Sequence, residues 1–281
     1  MAFVSSFEMI KKAQKNHYAV PAFNAENLEM LQGIIEAAEE MCSPVIIQTT
    51  PTTVKYITLR EAYAMVHTLA EQVNIPVALH LDHCEDFGDV MKAIRAGYTS
   101  VMIDASKLSF DQNLNVTRKI VEIARPMGVT VESELGKIGG KEDGINVKDD
   151  IYTEPDKARE FAEKTGTDIL AIAIGTAHGF YKGEPKLDME TLEQIRNLIS
   201  TPLVLHGGSG IPDEKVEDTI RLGISKVNFA TELRAAATKA VREALRDETI
   251  IDPKKFMGKA REAVKQLCIH KIRVCGSENK A

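Results

Sequence analysis

At 281 residues the chain can form one large α/β domain or two small ones, on a scale of about 150 residues per domain. Its 44% hydrophobic and 27% charged residues exclude disorder and collagen-like repeats and allow a large buried core. With 35 Lys and Arg against 41 Asp and Glu, the net charge of −6 supplies no overall basic field for nucleic acid or an anionic membrane, so an anionic substrate needs a local cationic site.

The opening MAFVSSFEMIKKAQ lacks the basic segment and apolar run of a secretory signal, and no apolar run reaches the ~18 residues that span a bilayer. From there short β-branched runs alternate with stretches of helical spacing. AVPAFNA (19–25) leads into ENLEMLQGIIEAAEEM, SPVIIQTT (43–50) into LREAYAMVHTLAEQV, and PVALHLDH (76–83) into FGDVMKAIRAG. SVMIDAS (100–106) leads into FDQNLNVTRKIVEIARPMG, and TVESELG (130–136) is followed by EPDKAREFAEKTG. DILAIAIG (168–175), TPLVLHG (201–207) and ISKVNFA (224–230) complete the set, with DMETLEQIRNLIS and DEKVEDTIRLG between them. Gly97, Gly128, Gly166 and Gly223 stand where helices end. Eight alternating βα units with right-handed crossovers predict a single (β/α)₈ TIM barrel, with an open doubly wound sheet as the alternative. The absence of a linker predicts one domain over 1–281, in which 231–281 supply the last helix and a helical tail.

Two connections, 137–154 and 176–187, exceed what closure needs and carry Gly, Pro and charge, as active-site loops do. Cys42, Cys84, Cys268 and Cys275 show no CxxC spacing, which fits a reducing, cytoplasmic setting, and Cys84 reads as packing.

Catalysis on a barrel sits at the C-terminal ends of the strands, so the polar residues that end the apolar runs carry the chemistry. His83, His178 and His206 fall there. Three neutral imidazoles suit a catalytic Zn²⁺ that keeps one position open. Strand alternation puts His80 and Asp82 on one face and His83 on the other, so His83 reaches the mouth only if the chain turns near Asp82. LHGGSGIP (205–212) and SKVNFATE (225–232) occupy the loops where barrels bind phosphate on backbone N–H groups. There Gly207, Gly208 and Gly210 permit close approach, Ser209 and Thr231 offer hydroxyls, and Lys182 could add a charge. Asp104, Glu132 and Glu134 lie within apolar strands, where an unpaired charge is costly, so each should meet a cation or a histidine. Glu142, in a polar loop, reads on its neighbours alone as a solvated charge.

Together HLDH, VESELGKIGGKEDG, GTAHGFYKG, LHGGSGIP and KVNFATE resemble the class II, zinc-dependent ketose-bisphosphate aldolases. The likeness is to the branch of tagatose-1,6-bisphosphate and short fructose-1,6-bisphosphate aldolases, and it runs from VPAFN to RVCGS. It implies that His83, His178 and His206 hold zinc, and that Asp104 and Glu134 match an alternate or second metal site. Asp82 would move the proton on the C4 oxygen, and Glu142 would act on the carbon proton of the triose phosphate. Gly179, Lys182, Gly207 and Ser209 would hold the dihydroxyacetone-phosphate end with the Asn228 to Thr231 stretch, Asn228 contacting the enediolate. Ala230 stands where the longer fructose-bisphosphate branch has an acidic residue, which points to the tagatose-like branch. The resemblance further implies a sugar-bisphosphate substrate, a monovalent cation as a cofactor besides the zinc, and a homodimer or homotetramer. Competing readings are an aldolase for another phosphorylated ketose or keto-sugar acid, a Schiff-base aldolase using Lys226, and a non-catalytic partner subunit.

Overall fold

The computed structural model describes residues 2–142, 145–147, 152–181 and 183–281, with only the main chain described at 141, 142 and 145–147. The chain begins with helix α1 (Ser6–Lys15), then β1 (Val20–Asn24), α2 (Leu28–Glu40), β2 (Val45–Thr49), α3 (Pro51–Ile57), α4 (Leu59–Ala70), β3 (Val77–Cys84) and α5 (Phe87–Ala96). It continues through β4 (Ser100–Ile103), α6 (Phe110–Ala124), β5 (Thr130–Leu135), β6 (Gly139–Glu142), β7 (Ile145–Val147), α7 (Pro155–Thr165), β8 (Ile169–Ile172) and β9 (Ala177–His178). The last elements are α8 (Met189–Leu198), β10 (Leu203–Leu205), α9 (Asp213–Arg221), β11 (Ile224–Phe229), α10 (Thr231–Ala244) and α11 (Pro253–Val274).

Eight parallel strands close in the order β1-β11-β10-β8-β5-β4-β3-β2, which is the (β/α)₈ barrel expected, and closure removes the open-sheet alternative. Both faces of these strands are buried, which is why each reads as a continuous apolar run. Local chemistry starts and stops the helices between them. Asn27 accepts from the Met30 N–H, Ser109 and Gln112 form a capping box, and Gly97 and Gly166 take the left-handed conformation at helix ends. Among the described residues no helix is long and apolar enough to cross a membrane.

The barrel interior is layered. Its lower half is apolar, with Val20, Ala22, Ile46, Ala78, Ile169, Ala171 and Val204 forming one cluster with Met9, Ile10 and Ala13 of α1. α1, which the strand-and-helix alternation does not include, therefore plugs the bottom of the barrel. Ser6 at its start donates to Ser100 Oγ at 2.9 Å, and Ser100 lies 2.7 Å from His80 Nδ1, so the plug is linked to the polar layer above.

The two long connections are not irregular throughout. β6 pairs antiparallel with β7 and parallel with β9, so the 137–154 and 176–187 segments hydrogen-bond to each other, Gly140 opposite His178. At the other end α11 packs closely along α2. Arg261 donates to Gln32 and Glu36, and a Cβ added to Gly33 would stand 2.5 Å from the Arg261 carbonyl oxygen. Gly33→Ala should therefore pry α11 from α2 and lower stability by about 1–3 kcal/mol, seen as a lower midpoint in urea unfolding; an unchanged midpoint would mean the helices slide apart freely.

Candidate active site

His83 reaches the mouth through a backbone irregularity. Leu81 is opposite Val101 and Cys84 is opposite Ile103, so three steps along β3 match two along β4, and one residue is extra. His83 takes φ of +48°, an uncommon left-handed conformation for a non-glycine residue. This bulge resolves the parity problem, since Asp82 and His83 no longer need to alternate across the sheet.

His83, His178 and His206 come from β3, β9 and the turn just after β10. Their candidate ligand atoms all lie within 4.8 Å of one another. The His83 ring centroid is 4.7 Å from that of His178 and 4.5 Å from that of His206. Carboxylates set which nitrogen faces inward in the rings of His83 and His206. His206 donates from Nε2 to Glu132 Oε1 at 2.7 Å, which leaves Nδ1 with its lone pair and no protein donor. His83 donates from Nδ1 to Asp104 Oδ2 at 3.1 Å, leaving Nε2 turned away from any protein partner. Asp104 is itself fixed by Ser106, which donates from both its hydroxyl and its backbone N–H.

Electrostatics match a cation at this point. Burial, reinforced by the neighbouring His83 charge, lowers the pKa of both His178 and His206 well below the usual imidazole value, so both present neutral rings. Burial alone would lower His83 as well, but Asp82, Asp104 and Glu134 together hold it well above the ordinary value. A divalent ion bound to the imidazoles would take the place of that proton. Burial, and then the charge of Asp104, raise Glu134 well above the ordinary carboxylate value. Its Oε2 is buried without a hydrogen-bond partner, 3.5 Å from His206 Nδ1. His83, His178 and His206 make one group of close ligand atoms, with an unpartnered nitrogen on His83 and on His206, and His83, Asp104 and Glu134 make a second; such a donor set fits a divalent metal such as zinc.

Beneath this cluster lies a layer that sequence reasoning had only partly assembled. Lys226 is fully buried and donates to Glu132 Oε2 at 2.7 Å, so Glu132 bridges the lysine and His206. Glu132→Gln should weaken zinc binding by about 10–100-fold by loosening His206, with the zinc dissociation constant as the readout; unchanged affinity would mean His206 is oriented by packing alone.

Asp82 sits beside the imidazoles, buried and held by two amides. Gln48 donates from Nε2 to Asp82 Oδ2 at 3.1 Å and to Asn24 Oδ1 at 3.0 Å, and Asn228 donates to Asp82 Oδ1 at 3.3 Å. Asn24 and Gln48 carry no motif of their own, and only the closure of β1 and β2 onto β3 and β11 shows their role.

Asp82, Gly179, Gly207, Ser209, Asn228, Ala230 and Thr231 line one cleft together with Asn24 and His178. A second, larger cleft shares His178 and runs past His83, Asp104, Glu134, Thr50, Ser106, Lys107 and Lys137. Gly207 takes φ of +64°, and a Cβ there would stand 2.5 Å from the Ala177 carbonyl oxygen, so only glycine fits against β9. Gly208 is placed differently. Its N–H is committed to the Asn228 carbonyl at 3.0 Å and it packs against Val227 and Phe229, so it forms wall rather than lining. Tyr181, which no motif singled out, accepts from the Ala177 N–H and donates to the Gly207 carbonyl, tying β9 to the glycine loop. The Glu142 side chain and Lys182 lie outside the described residues.

The C-terminal mouth of a closed parallel barrel thus carries three histidines backed by carboxylates, able to hold a metal ion, beside a buried aspartate, as in the barrel enzymes that use a metal ion. The sequence matches the family of class-II fructose-bisphosphate aldolases over residues 4–280. The chain belongs to that family and is a class II, metal-dependent aldolase. It is similar to the YdjI aldolase from Escherichia coli K12, with 36% identity over 99% of each chain and a TM-score of 0.89. The fructose-bisphosphate aldolase from Campylobacter jejuni shares the fold, with 24% identity over 100% of this chain and 97% of that one and a TM-score of 0.84.

Proposed function

We propose that the enzyme, acting as one catalytic domain over 1–281, performs reversible zinc-dependent cleavage of a ketose 1,6-bisphosphate, tagatose or fructose, to dihydroxyacetone phosphate and glyceraldehyde 3-phosphate. The observation that carries this reading is the convergence of His83, His178 and His206 beside Asp82, between a cleft walled by the glycine loop and a larger one toward Lys107 and Lys137. His83, His178 and His206 would hold the zinc ion, which would supply Lewis acidity for the charge that develops on the ketone oxygen, worth several kcal/mol.

The protein groups then divide the proton work. Asp82 takes the C4 hydroxyl proton as the C3–C4 bond breaks and the C4 carbonyl forms, and Glu142 delivers a proton to C3 of the triose phosphate; condensation runs both transfers in reverse. Asn228 holds Asp82 through Nδ2 and keeps Oδ1 free of protein partners for the substrate. Gly179, Lys182, Gly207, Ser209, Ala230 and Thr231 form the phosphate end, with the N-terminal dipole of α10 favouring an anion. Asp104 and Glu134 would hold an alternate or second metal position, and a monovalent cation is a further cofactor of this reading.

Ala230 supports tagatose bisphosphate over fructose bisphosphate. Cleavage rates of the zinc-loaded enzyme on both sugars test the proposal. Faster turnover of tagatose bisphosphate is expected, and cleavage of neither sugar would redirect the reading to another phosphoketose. An imine route through Lys226 is disfavoured by its buried ion pair with Glu132, so borohydride with substrate should leave the chain unmodified. Free cysteines throughout support a cytoplasmic location, and we propose a homodimer or homotetramer.

A further inference from the structure

The C-terminal helix reaches the loop assigned above to phosphate. Lys271, near the end of α11, is 4% exposed. Its Nζ lies 3.2 Å from Asp213 Oδ1 and 3.2 Å from Glu232 Oε2. These two carboxylates flank the glycine loop. Asp213 opens α9 immediately after 207–212, and Glu232 stands in the first turn of α10, immediately after Ala230 and Thr231.

Loop and helix are stitched in both directions. Ser209 Oγ accepts from the N–H groups of Ala230 and Glu232 at 3.2 and 3.4 Å, which caps α10, a helix whose own N-cap Ala230 has no side chain for the task. In return Glu232 Oε1 accepts from the Gly210 N–H at 2.9 Å. The stitch therefore depends on where the Glu232 carboxylate points, and its other oxygen faces Lys271. The same ammonium sits 5.4 Å from the centre of the Phe229 ring at the end of β11, and Asp213 is held from its other side by His270 at 2.7 Å.

We propose that Lys271 is a positioning residue for the phosphate-binding loop. By sharing its charge between Asp213 and Glu232 it sets the spacing between the Gly207 to Gly210 turn and the N-terminus of α10, the two edges that grip the phosphate of dihydroxyacetone phosphate. It does not touch the substrate. Removing the ammonium would leave two carboxylates with no cation between them and free Glu232 to swing from Gly210. The inference rests on the phosphate assignment made under the proposed function.

The test is calorimetric titration of dihydroxyacetone phosphate into the zinc-loaded wild-type enzyme and its Lys271→Met and Lys271→Arg variants. Lys271→Met should raise the dissociation constant by about tenfold, the scale of one charge-assisted hydrogen bond. In cleavage assays KM should rise more than kcat falls, and zinc affinity should stay unchanged. Lys271→Arg, which keeps the charge, should recover most of the binding. Should Lys271→Met fail to fold, Asp213→Asn, at a more exposed site, breaks one arm of the same clamp and should weaken binding in the same direction. A folded Lys271→Met, or failing that Asp213→Asn, that binds as tightly as wild type would overturn the role of Lys271 and leave the aldolase reading intact. So would equal losses of zinc and triose-phosphate affinity, which mark a general structural defect. A wild-type enzyme that fails to bind dihydroxyacetone phosphate would overturn the phosphate assignment itself.

Discussion

A His206→Ala enzyme should retain its barrel while losing zinc and at least about a thousandfold in cleavage rate, since a Lewis-acid metal contributes several kcal/mol at about 1.36 kcal/mol per tenfold. The side chain closes the gap between Glu132 below and Glu134 above, and its Nδ1 is one of the nitrogens left without a protein partner. Its loss also deprives Glu132 of one of its two donors, although Lys226 still neutralises that carboxylate. Metal content by mass spectrometry and far-UV circular dichroism read the two effects separately. His83→Ala and His178→Ala should behave alike, and full zinc occupancy in any of the three would remove that residue from the ligand set.

Asp82→Ala and Glu142→Ala should fail at different steps. Asp82 is held by Gln48 and Asn228 beside the imidazoles, so its loss should lower cleavage by about 10²–10⁴-fold while zinc and triose phosphate still bind. Exchange of the dihydroxyacetone-phosphate carbon proton with solvent needs no aldehyde and no C4 oxygen, so this variant should still perform it. Glu142→Ala should lose that exchange. Proton NMR in deuterated water follows the half-reaction directly. Normal exchange in Glu142→Ala would move the base elsewhere, and rapid sugar cleavage by Asp82→Ala would dismiss the aspartate.

The eight barrel strands were legible because parallel strands covered on both faces read as unbroken apolar runs, and their order then follows from the handedness of the crossovers. His83 and His206 were legible because they end such runs, and His178 because it follows one closely. What alternation could not give was the direction of His83, since a bulge adds one residue to the strand without leaving a mark in the residue types. Pairings between distant segments were equally hidden. Glu132 and Lys226 are 94 residues apart, and β6 meets β9 across an intervening helix and a barrel strand. The apolar face of α1 is plain in its sequence, but nothing there says that it faces the open end of a barrel. In GGSG the glycines look equivalent, and only the fold separates Gly207 in the cleft from Gly208 in the wall.

The bulge in β3 has a further consequence for precision. Asp82 and His83 are joined by a single peptide unit, so the proposed proton carrier and one proposed metal ligand share one short bracket of backbone. In an arrangement that drew these groups from two separate strands, breathing of the barrel would vary the distance between the acid–base oxygen and the cation. Here a displacement of the backbone that carries one carries the other, which limits how far the two groups drift apart. On the proposed roles, the left-handed φ at position 83 is the cost of keeping the acid–base group and a metal ligand adjacent on one strand.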